Sequence, residues 1–249
     1  MKKFAIMAIA TLMLFAGSAP AGAESFVQQH RVQLLKSSIV SVKAEVEKCQ
    51  DYTNFSVCAT DTLRGTGFFV TQDIIITNSH VIDPLPGSDV VGLSIQMPSK
   101  LGSGKLGMRY EVQLIAEDKE RDLAMLQLKT KTLKVKPLTI GEEIAVDDTY
   151  LSVGFPGGLK YKATSGTVTE QNVDTYGTMP GMILQAYKAL VKFSGYFDKG
   201  ASGSPVLNEA NEVVGVLALS GSGYGYAVNV NDLRDFVNKN LPGVEANAK

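Results

Sequence analysis

Three residues in this chain have the types and settings for nucleophilic acyl chemistry: His80, Asp122 and Ser202. His80 lies in Thr77-Asn78-Ser79-His80-Val81-Ile82, directly after an apolar run. Asp122 opens a second run in Glu120-Arg121-Asp122-Leu123-Ala124-Met125-Leu126. Ser202 sits in a glycine-rich turn, Gly200-Ala201-Ser202-Gly203-Ser204-Pro205-Val206. A serine hydroxyl is a weak nucleophile at neutral pH and needs an adjacent base to take its proton. His80 would take that proton and return it to the leaving amine, while Asp122 would fix the imidazole tautomer and stabilise the imidazolium. The glycines let the backbone turn so that N–H groups, expected to be those of Gly200 and Ser202, face a developing oxyanion. Removing one such donor costs on the order of 2.7–4 kcal/mol.

Each segment alone is weak evidence. A histidine at a strand end is usually a hydrogen-bonded structural residue, and an aspartate before a strand is usually a turn former. A Gly-x-Ser-Gly turn often means only a tight bend. The set is more specific than its members, because the order His, Asp, Ser matches chymotrypsin-type triads and differs from the Ser, acid, His order of α/β-hydrolases.

Short strand signals must position these residues. Val40, Val42, Ala44 and Val46 alternate with Ser41, Lys43 and Glu45 over 39–46. Runs at 67–70 and 74–77 read as a hairpin, followed by strands at 90–97, 110–116 and 123–128. The glycine-bearing stretch 98–108 reads as a flexible hairpin tip. Residues 129–148, with Pro137 and Gly141, carry few strand signals and read as a linker. Beyond it come strands at 150–153, 163–170, 182–193, 205–207, 213–219 and 226–230. Leu233, Phe236, Val237 and Leu241 fall at helical spacing behind Asn229 or Asn231 as the cap. A shorter helix is expected within 26–37. Strand pattern alone fits paired barrels or one sandwich; the triad order selects the barrels, with His80 and Asp122 in the first and Ser202 in the second. The expected architecture is therefore all-β, two antiparallel six-stranded barrels with a C-terminal helix. Its boundaries are 39–134 and 148–230 around a linker at 135–147, between an N-terminal segment at 24–38 and a helix and tail at 231–249.

The first residues bear on compartment. Lys2 and Lys3 precede an apolar run from Phe4 to Phe15, and Ala21-Gly22-Ala23 fits an A-x-A cleavage site. This reads as a secretory leader over 1–23, since 10 to 14 apolar residues fall short of the roughly 20 that span a bilayer. The expected location is the periplasm or the exterior, with no membrane contact after cleavage. Formal net charge is −1 with no long run of one sign, so nucleic acid is not an expected partner. In an exported chain Cys49 and Cys58 read as one local disulfide, worth roughly 2–3 kcal/mol in the chain-entropy model. The alternative is two free thiols. Two cysteines and two histidines are poorly spaced for a metal, and no metal or cofactor is expected. His30 is given no role.

With these residues in view, the chain resembles the protease domain of the HtrA/Deg family, with some likeness to secreted V8-like serine proteases. The likeness runs from about Ser38 to Val237. It is carried by Gly65-Thr66-Gly67-Phe68-Phe69-Val70, Val153-Gly154-Phe155-Pro156-Gly157-Gly158, Thr164-Ser165-Gly166-Thr167-Val168-Thr169 and Gly225-Tyr226-Ala227-Val228. The resemblance implies a serine endopeptidase acting on proteins or peptides through an acyl-enzyme. It places Tyr196 near the base of the S1 pocket, with Leu219, Ser220 and Gly221 along one wall. With no acid at Tyr196 and no histidine after His80, the expected P1 residue is small or medium and apolar. Ala201 and Ser204 depart from the family's G-N-S-G-G-P, and Ala201 cannot make the salt bridge that activates trypsin-type zymogens. With about a dozen residues after the expected C-terminal helix, no PDZ domain is expected. The resemblance also implies a homo-oligomer through the N-terminal segment, Phe26 included. Two other readings stay open: a latent or inactive binding or chaperone-like module on the same fold, and an esterase or acyltransferase using the same triad.

Overall fold

The computed structural model describes residues 21–82, 88–99, 106–130, 133–179 and 183–241. Helix α1 (Ala21–Leu34) leads into twelve strands and a last helix, α2 (Val230–Asn240). The expected leader lies outside the described residues up to position 20, and its last three residues open α1.

The first barrel comprises β1 (Ile39–Tyr52), β2 (Phe55–Phe69), β3 (Ile74–Thr77), β4 (Asp89–Pro98), β5 (Leu106–Asp118) and β6 (Leu123–Leu128). They close in the order β1-β2-β3-β6-β5-β4. The second comprises β7 (Thr149–Gly154), β8 (Lys162–Met179), β9 (Ile183–Ser194), β10 (Pro205–Leu207), β11 (Val213–Gly221) and β12 (Tyr224–Asn229). These close as β10-β11-β12-β9-β8-β7, and every pairing in both barrels is antiparallel. The two expected six-stranded barrels and the C-terminal helix are present.

Three apolar clusters explain the sequence pattern. Val40, Val42, Phe69, Ile75 and Leu126 fill the first barrel, and Tyr150, Val168, Phe193, Val206 and Leu217 fill the second. A third cluster lies between them, joining Phe68, Ile76 and Met125 to Leu151, Val153 and Phe155. Strands β3 and β6 thus have apolar neighbours on both faces, which is why Ile74-Ile75-Ile76 and Leu123-Ala124-Met125-Leu126 run without alternation. The linker joins the barrels by backbone bonds, from Leu138 N to Phe69 O (2.8 Å) and from Val213 N to Thr139 O (2.8 Å). In α2, Leu233, Phe236 and Val237 are buried, and the Asn229 side chain accepts from Asp232 N at 2.9 Å. Asn229, not Asn231, is the cap, a contribution of about 1 kcal/mol.

Strands β1 and β2 extend well beyond the expected 39–46 and 67–70. They form an arm ending at Tyr52 and Phe55, whose rings stack at 5.0 Å, with Cys49 bonded to Cys58 across it. The arm's residues are exposed on both faces, so no apolar alternation marks it. Strand β8 also outruns its expected end at 170, bulging where Asn172 takes a left-handed φ of 55°.

Candidate active site

Register brings His80 and Asp122 together. Strands β3 and β6 pair Ile76 with Met125 and Thr77 with Ala124, so the end of one lies beside the start of the other. After Thr77 the extended Asn78 opens a 3-10 turn over Ser79–Val81 that carries His80. Asn78, fully buried, donates from Nδ2 to the Asp122 carbonyl at 2.8 Å. Ser79 Oγ donates to Glu117 Oε1 at 2.6 Å and pins the turn from β5.

The Asp122 side chain is 0 % exposed and accepts from His80 twice. Oδ1 takes the His80 backbone N–H at 3.0 Å, and Oδ2 lies 2.7 Å from His80 Nδ1. A third donor, the Tyr187 hydroxyl, reaches Oδ2 at 3.2 Å. Asp122 adopts φ 56°, a left-handed conformation that costs on the order of 1–3 kcal/mol in a non-glycine residue and persists where surrounding contacts over-determine it. The bonds to Asn78, His80 and Tyr187 are those contacts.

The serine turn is held from both barrels. Thr66, fully buried on β2, donates N–H to Ser202 O (2.8 Å) and Oγ1–H to Gly200 O (3.0 Å). The same hydroxyl accepts from Phe155 N at 2.9 Å. Within the turn, Gly203 N donates to Leu217 O and Ala201 N to Asp198 O. Gly157 N donates to Lys199 O, which fixes the Lys199–Gly200 peptide. Gly200 has φ 92°, and a Cβ there would lie 2.8 Å from Phe155 O and 2.9 Å from the nitrogens of Gly157 and Gly158. Only glycine fits. Among the described residues, the N–H groups of Gly200 and Ser202 donate to no protein acceptor. Ser202 Oγ donates to Ala218 O at 3.3 Å, and no hydrogen bond joins it to His80.

His80, Gly200 and Ser202 line one cleft of about 470 Å³ between the barrels, together with Thr178, Leu219 and Ser220. Two expected pocket residues lie elsewhere. Tyr196 is 83 % exposed and outside the cleft. Gly195, at φ 146°, turns the chain so that Phe197 faces inward instead, its ring 6.3 Å from Tyr150 and against Gly225. Gly221 is exposed, with nothing within 4 Å of where its Cβ would be. Among the described residues the one grouping of metal-type ligands is Glu47 with Cys49 and Cys58, and the disulfide occupies both sulfurs.

Sequence reasoning missed Thr66 and Tyr187. Thr66 stood inside a quoted motif, yet nothing in Gly-Thr-Gly signals a hydroxyl that bonds a turn 134 residues away. Tyr187 lay in an expected strand among other apolar residues, where an aromatic reads as core.

A family model described as a trypsin-like peptidase domain matches residues 65–216, more than half of the chain. A probable periplasmic serine endoprotease, DegP-like, of Chlamydia muridarum is 26% identical over 169 residues, covering 67% of this chain and 30% of that protein. The mitochondrial serine protease HTRA2 of Bos taurus is 29% identical over 182 residues, covering 71% of this chain and 36% of that one. The chain thus spans about a third of the length of the curated relatives it matches. Among solved structures, the active form of the Rv3671c protease from M. tuberculosis superposes with a TM-score of 0.66 at 20% identity, covering 96% of this chain and 95% of that one. The serine endoprotease from Yersinia pestis gives 0.61, also at 20% identity, over 87% of this chain and 67% of that one. At that identity the two structures establish the shared fold.

Proposed function

This chain belongs to the trypsin-like peptidase domain family, and from that premise we propose that it is an exported serine endopeptidase. Its reading as a protease rests above all on one observation: a fully buried Asp122 grips both the ring and the backbone of His80 beside a serine turn with two uncommitted amides. In the proposed cycle the Ser202 hydroxyl turns from Ala218 O toward His80 and attacks the scissile carbonyl carbon as its proton passes to Nε2. Asp122 holds the proton on Nδ1 and stabilises the imidazolium. The carbonyl oxygen becomes an oxyanion held by the N–H groups of Gly200 and Ser202. His80 then returns the proton to the departing amine, leaving an acyl-enzyme on Ser202. Water repeats the sequence to release the acid.

The substrates proposed are proteins or peptides, with Leu219 and Ser220 forming a wall of the cleft on the acyl side. Residues 1–23 act as the leader, which accords with relatives named periplasmic. The catalytic halves are 39–134 and 148–230, joined by 135–147, and assembly into a homo-oligomer is part of the proposal.

A second reading is favoured by one contact. Ser202 Oγ bonds to Ala218 O rather than to His80, which suits a resting form that needs a trigger. Labelling with a fluorophosphonate probe, with Ser202→Ala alongside, separates the two. Labelling lost in the variant, together with peptide turnover, supports the constitutive protease. A folded chain that takes no label supports the latent form. Label with ester but no peptide turnover points to an esterase.

A further inference from the structure

The bond from Tyr187 to Asp122 crosses between the barrels. Tyr187 belongs to β9 of the second, whereas Asp122 opens β6 of the first. Tyr187 is 2 % exposed and Asp122 is 0 % exposed, so water does not compete for the contact. Asp122 Oδ2 accepts from His80 Nδ1 and from the Tyr187 hydroxyl, and Oδ1 from the His80 backbone. Tyr187 is therefore the carboxylate's sole donor among the described residues that is not part of His80. Burial first, and the neighbouring carboxylate second, push its phenol well above the ordinary range. It stays a neutral donor across any working pH.

The surroundings fit this arrangement. A Cβ on Gly177 of β8 would lie 3.1 Å from the Tyr187 ring and 2.5 Å from Leu219, so the glycine makes room for both. Leu219 and the neighbouring Thr178 line the cleft. The hairpin that walls the cleft therefore also carries the third donor to Asp122.

We propose that Tyr187 is a positioning residue for the reaction: its hydroxyl holds the Asp122 carboxylate against His80 and makes that alignment depend on the docking of the second barrel. This rests on the reading of His80, Asp122 and Ser202 as the triad. A hydrogen bond to a buried carboxylate is the stronger kind. Without it, each carboxylate oxygen keeps one donor, both from His80, and nothing from the second barrel holds the anion against the ring.

The test replaces Tyr187 with Phe, which keeps the ring and removes one atom, and assays turnover of a peptide substrate. The Tyr187→Phe chain is expected to lose about 10- to 100-fold in kcat with KM within about threefold. The acidic limb of its kcat/KM profile should move to higher pH, because the carboxylate no longer shares its charge with the phenol. A structural role alone would not move that limb. Unchanged kcat and an unchanged profile in Tyr187→Phe, beside an inactive Asp122→Asn, would overturn the proposal and leave the triad standing. Full activity in Asp122→Asn would sink the triad reading, and this proposal with it. If Tyr187→Phe does not fold, fluorotyrosine at position 187 serves instead: a stronger donor should move the acidic limb to lower pH, and no movement refutes the role.

Discussion

Thr66→Val removes one hydroxyl and nearly nothing else, since valine has almost the same shape. That hydroxyl makes two bonds across the barrel boundary, accepting from Phe155 N at 2.9 Å and donating to Gly200 O at 3.0 Å. Thr66 is fully buried and valine fills the same space, so no water enters at position 66 to replace the hydroxyl. Each buried group left without a partner costs about 1–3 kcal/mol, giving about 2–6 kcal/mol for the pair. The bonds of the Thr66 backbone to Ser202 O and from Thr77 Oγ1 remain, so the turn keeps one anchor. Thermal melting in a Ser202→Ala background, which prevents self-cleavage, reads the cost. At about 2–4 °C per kcal/mol for a chain of this size, the midpoint should fall by at least about 4 °C. Thr66→Ser keeps both bonds and should lose far less. If the valine chain melts within a degree of its parent, the hydroxyl is not a tie between the barrels and the account of the serine turn is wrong. With Ser202 restored, release of Gly200 O should also loosen the oxyanion amides and lower kcat more than it raises KM.

Two further outcomes are expected. Gly200→Ala places a Cβ 2.8 Å from Phe155 O at φ 92°; with one oxyanion donor displaced, kcat should fall by about 10²–10³, and a variant within threefold of the parent would exclude Gly200 from that role. Burial raises the phenols of Tyr150, Tyr161 and Tyr187 above their ordinary value of 10. Since the unfolded chain loses those protons first, stability is full below pH 10 and falls as pH rises beyond it. Urea midpoints taken from pH 8 to 11 should decline only above about pH 10; a flat curve through pH 11 would mean the phenols ionise as easily folded as unfolded.

The contrast between legible and illegible features follows the range of the interactions involved. The alternation at 39–46, the doubly apolar runs at 74–77 and 123–128, and the spacing of Leu233, Phe236 and Val237 are local patterns. A strand or helix writes its buried faces into consecutive residues, so these elements could be read directly. The arm from Glu47 to Asp61 could not, because both its faces are exposed and its pairing is carried by backbone, which every residue shares. The bulged continuation of β8 was hidden for a related reason: each added residue flips the side-chain alternation that marks a strand.

The candidate site divides the same way. Residue type, local setting and chain order together nominated His80, Asp122 and Ser202, because few side chains can act as base, orienter and nucleophile, and that order pointed to two barrels. Glycines at the serine turn were legible because the backbone there needs a conformation that other residues resist. Only the tertiary structure could place Phe197 inward and Tyr196 outward, since one glycine's φ decides which face of the chain turns to the pocket. Only it could show Thr66 and Tyr187 reaching across from the opposite barrel, 134 and 65 residues from the groups they bind. A hydrogen bond between two folded bodies depends on how they dock, and docking leaves no period in either segment.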